Sequence, residues 1–455
     1  MSGTLDDPEA IFTRALSAAA ADEADAVLIV SDQNITRFAN SAIHQNMSEI
    51  SAELTLRVFA GGAMGVASTT SFGDDDIAHA ASVAREAARH SVPIPGFAGL
   101  YKGGDDVSAA ATFDAAVGGL PPAEKARSLR AVFDRGRELG IHFAGSYGNA
   151  ATTVVCGNTH GVRRECRFTA AEATLIAIRG EESGYATAID RHPIDVVALG
   201  EEAIGKATLH AGTHERIDGG AFDVILEPPA IAEVLEWMNM IAFSGQAYED
   251  GSSFFAGNIG TQMLGSNFTL ADDAVDPAFL PFPFDLEGLP KRRVELIERG
   301  IIRTPVVDKT WADRLHIAPT ANAWALGSSE HGAALHLSVG AGDETREAMV
   351  RSTRRGIWVT RFNYVNGLLE PKTALMTGTT RDGTFLIRDG EVVARLPNLR
   401  WTQSMVDAFS NIRSLTPDRR RVGAWFNPFG GTLAPAMKIE GWQFDTANGQ
   451  KVARS

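Results

Sequence analysis

The stretch from Asp223 to Ala242 constrains the chain more than any other. Asp223-Val224-Ile225-Leu226-Glu227 is an apolar run of strand length, and Pro228-Pro229 follows it directly. Proline suits a first helical turn, because its fixed φ is already helical and its missing N–H would find no partner there. Ile231, Val234, Leu235, Met238 and Ala242 then recur at helical spacing, so this helix buries one side. A buried strand feeding straight into a one-sided helix calls for a mixed architecture with a sheet beneath the helix.

Upstream, Asp7 and Pro8 open a helix that carries Ile11, Leu16 and an alanine-rich stretch, and Ala26 to Val30 reads as a buried strand. Ile50 to Phe59 alternates, with Ala52, Leu54, Leu56 and Val58 on one face. Helices are expected over 74–90, 121–139 and 194–209, strand segments near 143–147 and 170–178, and another helix over 343–355. No internal repeat is visible. The 455 residues exceed one ordinary domain. Proline and glycine punctuation divides them into 1–100, 101–218 and 219–455, an α/β amino-terminal region followed by a β-rich carboxy-terminal domain around the central helix, α+β in class.

A net charge of −14 disfavours contact with phosphate backbones. Cys156 and Cys166 are too few for a disulfide framework and read as small buried apolar residues. Met1 to Asp7 is acidic and lacks an apolar core, which does not read as a secretory signal. No apolar run reaches the ~20 residues that span a bilayer. The expectation is a cytoplasmic protein without membrane or nucleic-acid contact.

After the central helix come Ser244-Gly245-Gln246-Ala247-Tyr248-Glu249-Asp250-Gly251-Ser252, then Phe284-Asp285-Leu286-Glu287-Gly288 with Arg292-Arg293, and Ile297-Glu298-Arg299-Gly300-Ile301. Further on lie Gly327-Ser328-Ser329-Glu330-His331-Gly332-Ala333-Ala334-Leu335-His336, Gly356-Ile357-Trp358-Val359, Gly383 to Glu391, and Pro435-Ala436-Met437-Lys438-Ile439-Glu440-Gly441. In this order, over roughly 220–442, they resemble the carboxy-terminal domain of the TldD/PmbA metalloprotease family. Arg57-Val58 with Gly65 and Ala67-Ser68-Thr69 resembles the family's amino-terminal pattern. Departures occur at Asn363 to Gly367 and at Arg388-Asp389-Gly390, where the family has other residues.

In the family's catalytic branch the helix carries HExxxH, whose histidines hold zinc while the glutamate acts on zinc-bound water. In that register Trp237, Met238 and Ala242 occupy the ligand and base positions, and no cysteine follows Cys166. The resemblance therefore implies the TldE/PmbA branch: a subunit with no catalytic residue, metal or cofactor of its own. Zinc is expected in a TldD-like, HExxxH-bearing partner, and the complex would cleave unfolded peptides or trim precursor peptides. Pairing with itself in isolation is compatible with this reading.

Other candidates are weaker. His214-Glu215 begins like the motif, but Gly219 holds the second histidine position, so a solvated loop is the simpler reading. Glu233 and Glu236 sit off the apolar side of the helix and read as solvated. His331 and His336, with Tyr248 and Ser252, are candidates to line a substrate channel, or incidental residues of a tight turn; Glu330 could join the histidines on a metal. Two alternatives stay open: a self-contained homo-oligomeric hydrolase with another site, and a regulatory binding protein that contacts a protein rather than DNA.

Overall fold

The computed structural model describes residues 7–107, 112–328, 331–425, 427 and 429–445. The first half contains α1 (Pro8–Ala19), β1 (Glu23–Ala39), β2 (Ala42–Ala60), β3 (Ala63–Thr69), α2 (Asp74–His90), α3 (Ala115–Gly118), α4 (Pro122–Glu138), β4 (His142–Asn158), β5 (Arg163–Arg179), β6 (Glu182–Asp190) and α5 (Val196–Thr208). Its six strands form one antiparallel sheet in the order β3-β2-β1-β4-β5-β6. The strands of 1–100 and of 101–218 thus share a sheet, joined where β1 pairs with β4 from Asp25↔Asn158 to Phe38↔Gly145.

The sheet is built from two αβββα units, α1-β1-β2-β3-α2 and α4-β4-β5-β6-α5, set back to back across the β1–β4 pair. Glycine marks the equivalence. A Cβ on Gly65, third in β3, would sit 2.1 Å from the Ala84 carbonyl oxygen of α2; one on Gly184, third in β6, would sit 2.2 Å from that of Ala203 in α5. Both helices lie on their sheet more closely than any side chain permits. The expectation of no internal repeat is corrected at this level: the two units share spacing and close glycine contacts, not readable identity.

Alternation along the strands assigns the two faces. Leu28, Leu54, Leu56 and Val58 meet Ile11, Phe12 and Ile77 of α1 and α2, while Phe143, Tyr147 and Leu175 meet Leu129, Phe133 and Ile204 of α4 and α5. The opposite face, with Val27, Val154, Cys156 and Phe168, packs on Phe282, Phe284, Leu286 and Phe429 of the second half.

That half holds β7 (Gly220–Leu226), α6 (Pro228–Met238), a π-helical turn (Asn239–Phe243), α7 (Gly245–Glu249), β8 (Leu270–Asp272), β9 (Val294–Glu298), β10 (Ile301–Ile302), α8 (Lys309–Leu315), β11 (His336–Val339), α9 (Arg346–Arg351), β12 (Arg355–Glu370), β13 (Leu375–Arg388), β14 (Glu391–Arg395), β15 (Arg400–Ser404), α10 (Met405–Ser410), β16 (Ile412–Gly423) and β17 (Gly431–Phe444). Its strands form an eleven-stranded mixed sheet. The helix expected over 343–355 is only α9; Thr345 caps it, and β12 has begun by Arg355. Among the described residues no helix is long and apolar enough to cross a membrane.

Candidate functional site

Strand β7 lies between β12, parallel to it (Val224↔Ile357), and β17, antiparallel (Ile439↔Val224). This central position explains its continuous apolar run. No side chain caps α6. Instead the Glu227 carboxylate before Pro228 accepts from Lys206 Nζ at 2.6 Å, Trp358 Nε1 at 3.0 Å and Arg346 Nη1 at 3.3 Å, so a buried charge knot fixes where the helix starts. Ile231, Val234, Leu235 and Met238 then enter the main core.

The helix does not stay α-helical to its end. Five residues along an α-helix turn a side chain through about 500°, which leaves positions 237 and 242 about 140° apart. The π turn over Asn239–Phe243 winds more residues per turn and draws such positions toward one side. Met238 and Ala242 are fully buried in the core. Trp237 is half-buried, its ring 5.8 Å from that of Trp425 and so tight on Gly367 that a Cβ there would lie 2.9 Å from it. Indole, thioether and methyl groups in these places do not fit zinc. Among the described residues no group of three His, Cys, Asp or Glu is placed to hold a metal ion.

A groove runs between the sheets and ends on α6. Its inner part, about 180 Å³, is lined by Glu233 and Glu236 of α6, Glu172, Tyr185, Arg361 and Trp425. Its outer part, about 420 Å³, shares Glu172, Ala424 and Trp425 and extends over Ile35, Arg37 and Met47 of the first sheet. Glu172 opens to solvent inside the groove, yet the surrounding protein desolvates it and pushes its carboxyl up. Desolvation also raises Glu233, opposed by the Arg361 charge. Arg361 is held by Asp382 and lies over the Tyr185 ring. Glu236 is 5% exposed, so the expectation of a solvated residue is corrected.

The four other sequence candidates do not line this groove. Tyr248 packs half-buried against the main core, and the exposed Ser252 donates its hydroxyl to the Ala247 carbonyl at 3.3 Å. His331 stacks on Trp311 at 3.8 Å, with Nδ1 2.9 Å from Asp308 Oδ2. These three belong to the α7–α8 corner, where Glu249 and Arg314 pair at 2.8 Å. His336 is fully buried beside Phe279 and Asp272, and among the described residues neither ring nitrogen has a hydrogen-bond partner at ordinary geometry. Burial pushes its pKa down to about 4, so the ring is neutral and sealed from any peptide. Its expected place in a channel is corrected. Glu330 lies outside the described residues. His214 is an exposed loop residue 3.2 Å from Glu182. Both cysteines are buried, and burial raises Cys166 to about 11.

Two stretches that carried the resemblance meet across the domain boundary. Arg57 of β2 donates Nε and Nη2 to Asp25 at 3.0 and 2.5 Å, and Nη2 to Glu287 at 2.6 Å. Asp285 accepts the backbone N–H groups of Glu287, Leu289 and Ala323 at 3.1, 2.9 and 3.0 Å, shaping the loop that delivers Glu287. Burial, set against the attraction of Arg57, raises Glu287 to about 8, and burial raises Asp285 to about 6. Nothing in the local pattern of either stretch announces this contact.

Two sheets of this topology, with the helices packed on them, define an α+β fold that solved structures share. TldE from Thermococcus kodakarensis superposes with a TM-score of 0.84 at 20% identity, covering 96% of this chain and 99% of that one. A structure from Thermotoga maritima gives 0.82 at 17% identity over 96% and 99%. Residues 219–446 match the family model for the PmbA/TldA metallopeptidase C-terminal domain, and 24–88 match that for domain 1. The chain belongs to the PmbA/TldD metallopeptidase family. Curated relatives include an uncharacterized protein of Methanocaldococcus jannaschii, 28% identical over 167 residues, which are 36% of this chain and 40% of that protein. A metalloprotease of Methanothermobacter thermautotrophicus is 19% identical over 202 residues, 44% of each chain. The matched stretches thus span less than half the length of these relatives.

Proposed function

We propose that this protein is the non-catalytic, TldE-like subunit of a two-component peptidase. In that complex a TldD-like, HExxxH-bearing partner supplies zinc, and this chain helps to bind and position an unfolded or precursor peptide in the cytoplasm. The observation that carries the reading is the end of α6. It runs into a π turn just past the α6 residues that line the groove, and offers Trp237, Met238 and Ala242 where a zinc peptidase needs ligands and a base. Around it, Met240, Tyr364, Leu368, Leu369 and Trp425 are exposed, Tyr364 at 87%. Large apolar side chains held out beside a ligand-free site suit a surface completed by another subunit.

The test is co-expression with an HExxxH-bearing relative, followed by gel filtration, metal analysis and cleavage of an unfolded peptide by each chain alone and by both. A hetero-complex, with zinc and cleavage depending on the partner's motif, is expected. Stoichiometric zinc and cleavage in this chain alone would overturn the proposal.

A further inference from the structure

The two αβββα units treat their outer long strands differently. In the second unit, β6 pairs with β5 only from Ala171 to Arg179. Part of the remaining β5 edge, at Arg167 and Thr169, is covered by extended chain: Thr169 N–H donates to Thr112 O at 3.1 Å, Thr112 Oγ1 to Arg167 O at 2.6 Å, and Asp114 N–H to Thr169 Oγ1 at 2.9 Å. In the first unit, β3 pairs with β2 only from Leu54 to Ala60. Residues 42–53 of β2 have no strand on that side among the described residues, and 42–51 are all exposed. Twelve residues span about 40 Å, and this edge lacks the lysines and prolines that usually protect one; its register shift, at His44, falls near the hairpin end. It displays Ile43, Met47 and Ile50 at 40, 37 and 64% exposure.

We propose that the free edge of β2, residues 42–53, binds an extended peptide segment as an added strand, in the place that residues near Thr112 fill on β5. The occupant is a stretch of the peptide substrate, apolar at alternate positions and basic between them. Three observations select it. The equivalent edge in the same sheet is satisfied at Arg167 and Thr169 by extended chain. Met47 lies on this edge and also lines the outer groove, so an added strand would lie at the groove's mouth. The edge carries Glu49 and Glu53 and no Lys or Arg, which favours a cationic occupant. Backbone pairing would supply affinity with little demand on sequence. This inference rests on the peptide-handling reading above and adds where, and by which chemistry, the peptide is held.

The test uses the full chain and a fluorescein-labelled dodecapeptide of alternating valine and lysine, followed by anisotropy. A second peptide of the same sequence has alternate amides N-methylated, which blocks one edge of backbone pairing. Binding should weaken about tenfold or more on N-methylation and also with the exposed double substitution Glu49→Lys/Glu53→Lys, each lost ladder bond or charge contact costing a sizeable part of that factor. Binding unaffected by both changes, or no binding, would overturn the inference. So would a homodimer in gel filtration that the double substitution dissociates, because a second copy would then hold the edge. The hetero-complex assay reads the subunit proposal separately, so either can fail alone.

Discussion

Replacing Arg57 with methionine removes the cation that joins Asp25 and Glu287. The side chains of Arg57, Asp25 and Glu287 are 3, 2 and 3% exposed, so water cannot take over its role. Glu287 already titrates near 8 and can remain protonated at neutral pH. The loss therefore falls on Asp25, whose carboxylate donors both come from Arg57. Without them Asp25 must fold protonated. Burial already holds Asp25 above its ordinary 3.8 with Arg57 in place, so the ~4 kcal/mol that full protonation costs at pH 7, at 1.36 kcal/mol per unit, is the ceiling of the further loss, beside the ~3–5 kcal/mol seen when one partner of a buried pair is removed. The sign follows from linkage. In the variant the folded-state pKa of Asp25 lies far above its unfolded value, so the deficit is small near pH 4 and grows as pH rises. At pH 5 it should shrink to about 1.5 kcal/mol. Thermal melts followed by circular dichroism should show a drop of roughly 8–16 °C at pH 7 for a unit of this size, and a clearly smaller one at pH 5. A loss below about 1 kcal/mol at pH 7, or a deficit independent of pH, would refute the view of Arg57 as the charge that compensates the buried Asp25.

Glu287→Gln tests the same cluster from the other side. Because Glu287 is raised from 4.5 to about 8, the parent loses stability as pH climbs through that window, and denaturant titrations should shift in favour of Gln by about 3 kcal/mol between pH 5 and 8. His336→Phe should abolish an acid-side loss. With its pKa lowered from 6.5 to about 4, the parent sheds up to about 3 kcal/mol as pH falls across that interval, and equilibrium unfolding at pH 4.5 should find the variant the more stable protein. Met238→Glu places a carboxylate at a fully buried position; a loss above about 3 kcal/mol, or insoluble protein, is expected, and near-parental melting would contradict the burial. Gly300→Ala should cost about 2 kcal/mol or more by chemical denaturation, since φ is +79° and the new Cβ would lie 2.2 Å from the Leu264 carbonyl oxygen.

Local pattern alone determined much of this protein. The run from Asp223 into Pro228-Pro229, the helix 74–90 and the inward face of Leu54, Leu56 and Val58 stand where spacing placed them, because each depends on neighbours a few residues away. The ligand-free character of Trp237, Met238 and Ala242 was also legible, being a matter of side-chain identity. Other features belong to the tertiary structure. The two αβββα units are matched by close glycine contacts at Gly65 and Gly184, which spacing along one strand cannot reveal. His336 and Glu236 became buried because distant elements closed over them. The pairing of Arg57 with Glu287, 230 residues away, depends on how the two halves meet. A sequence states which residues can bind, bury or pair; which of them meet is settled only when the long-range packing that stabilises the fold selects one arrangement.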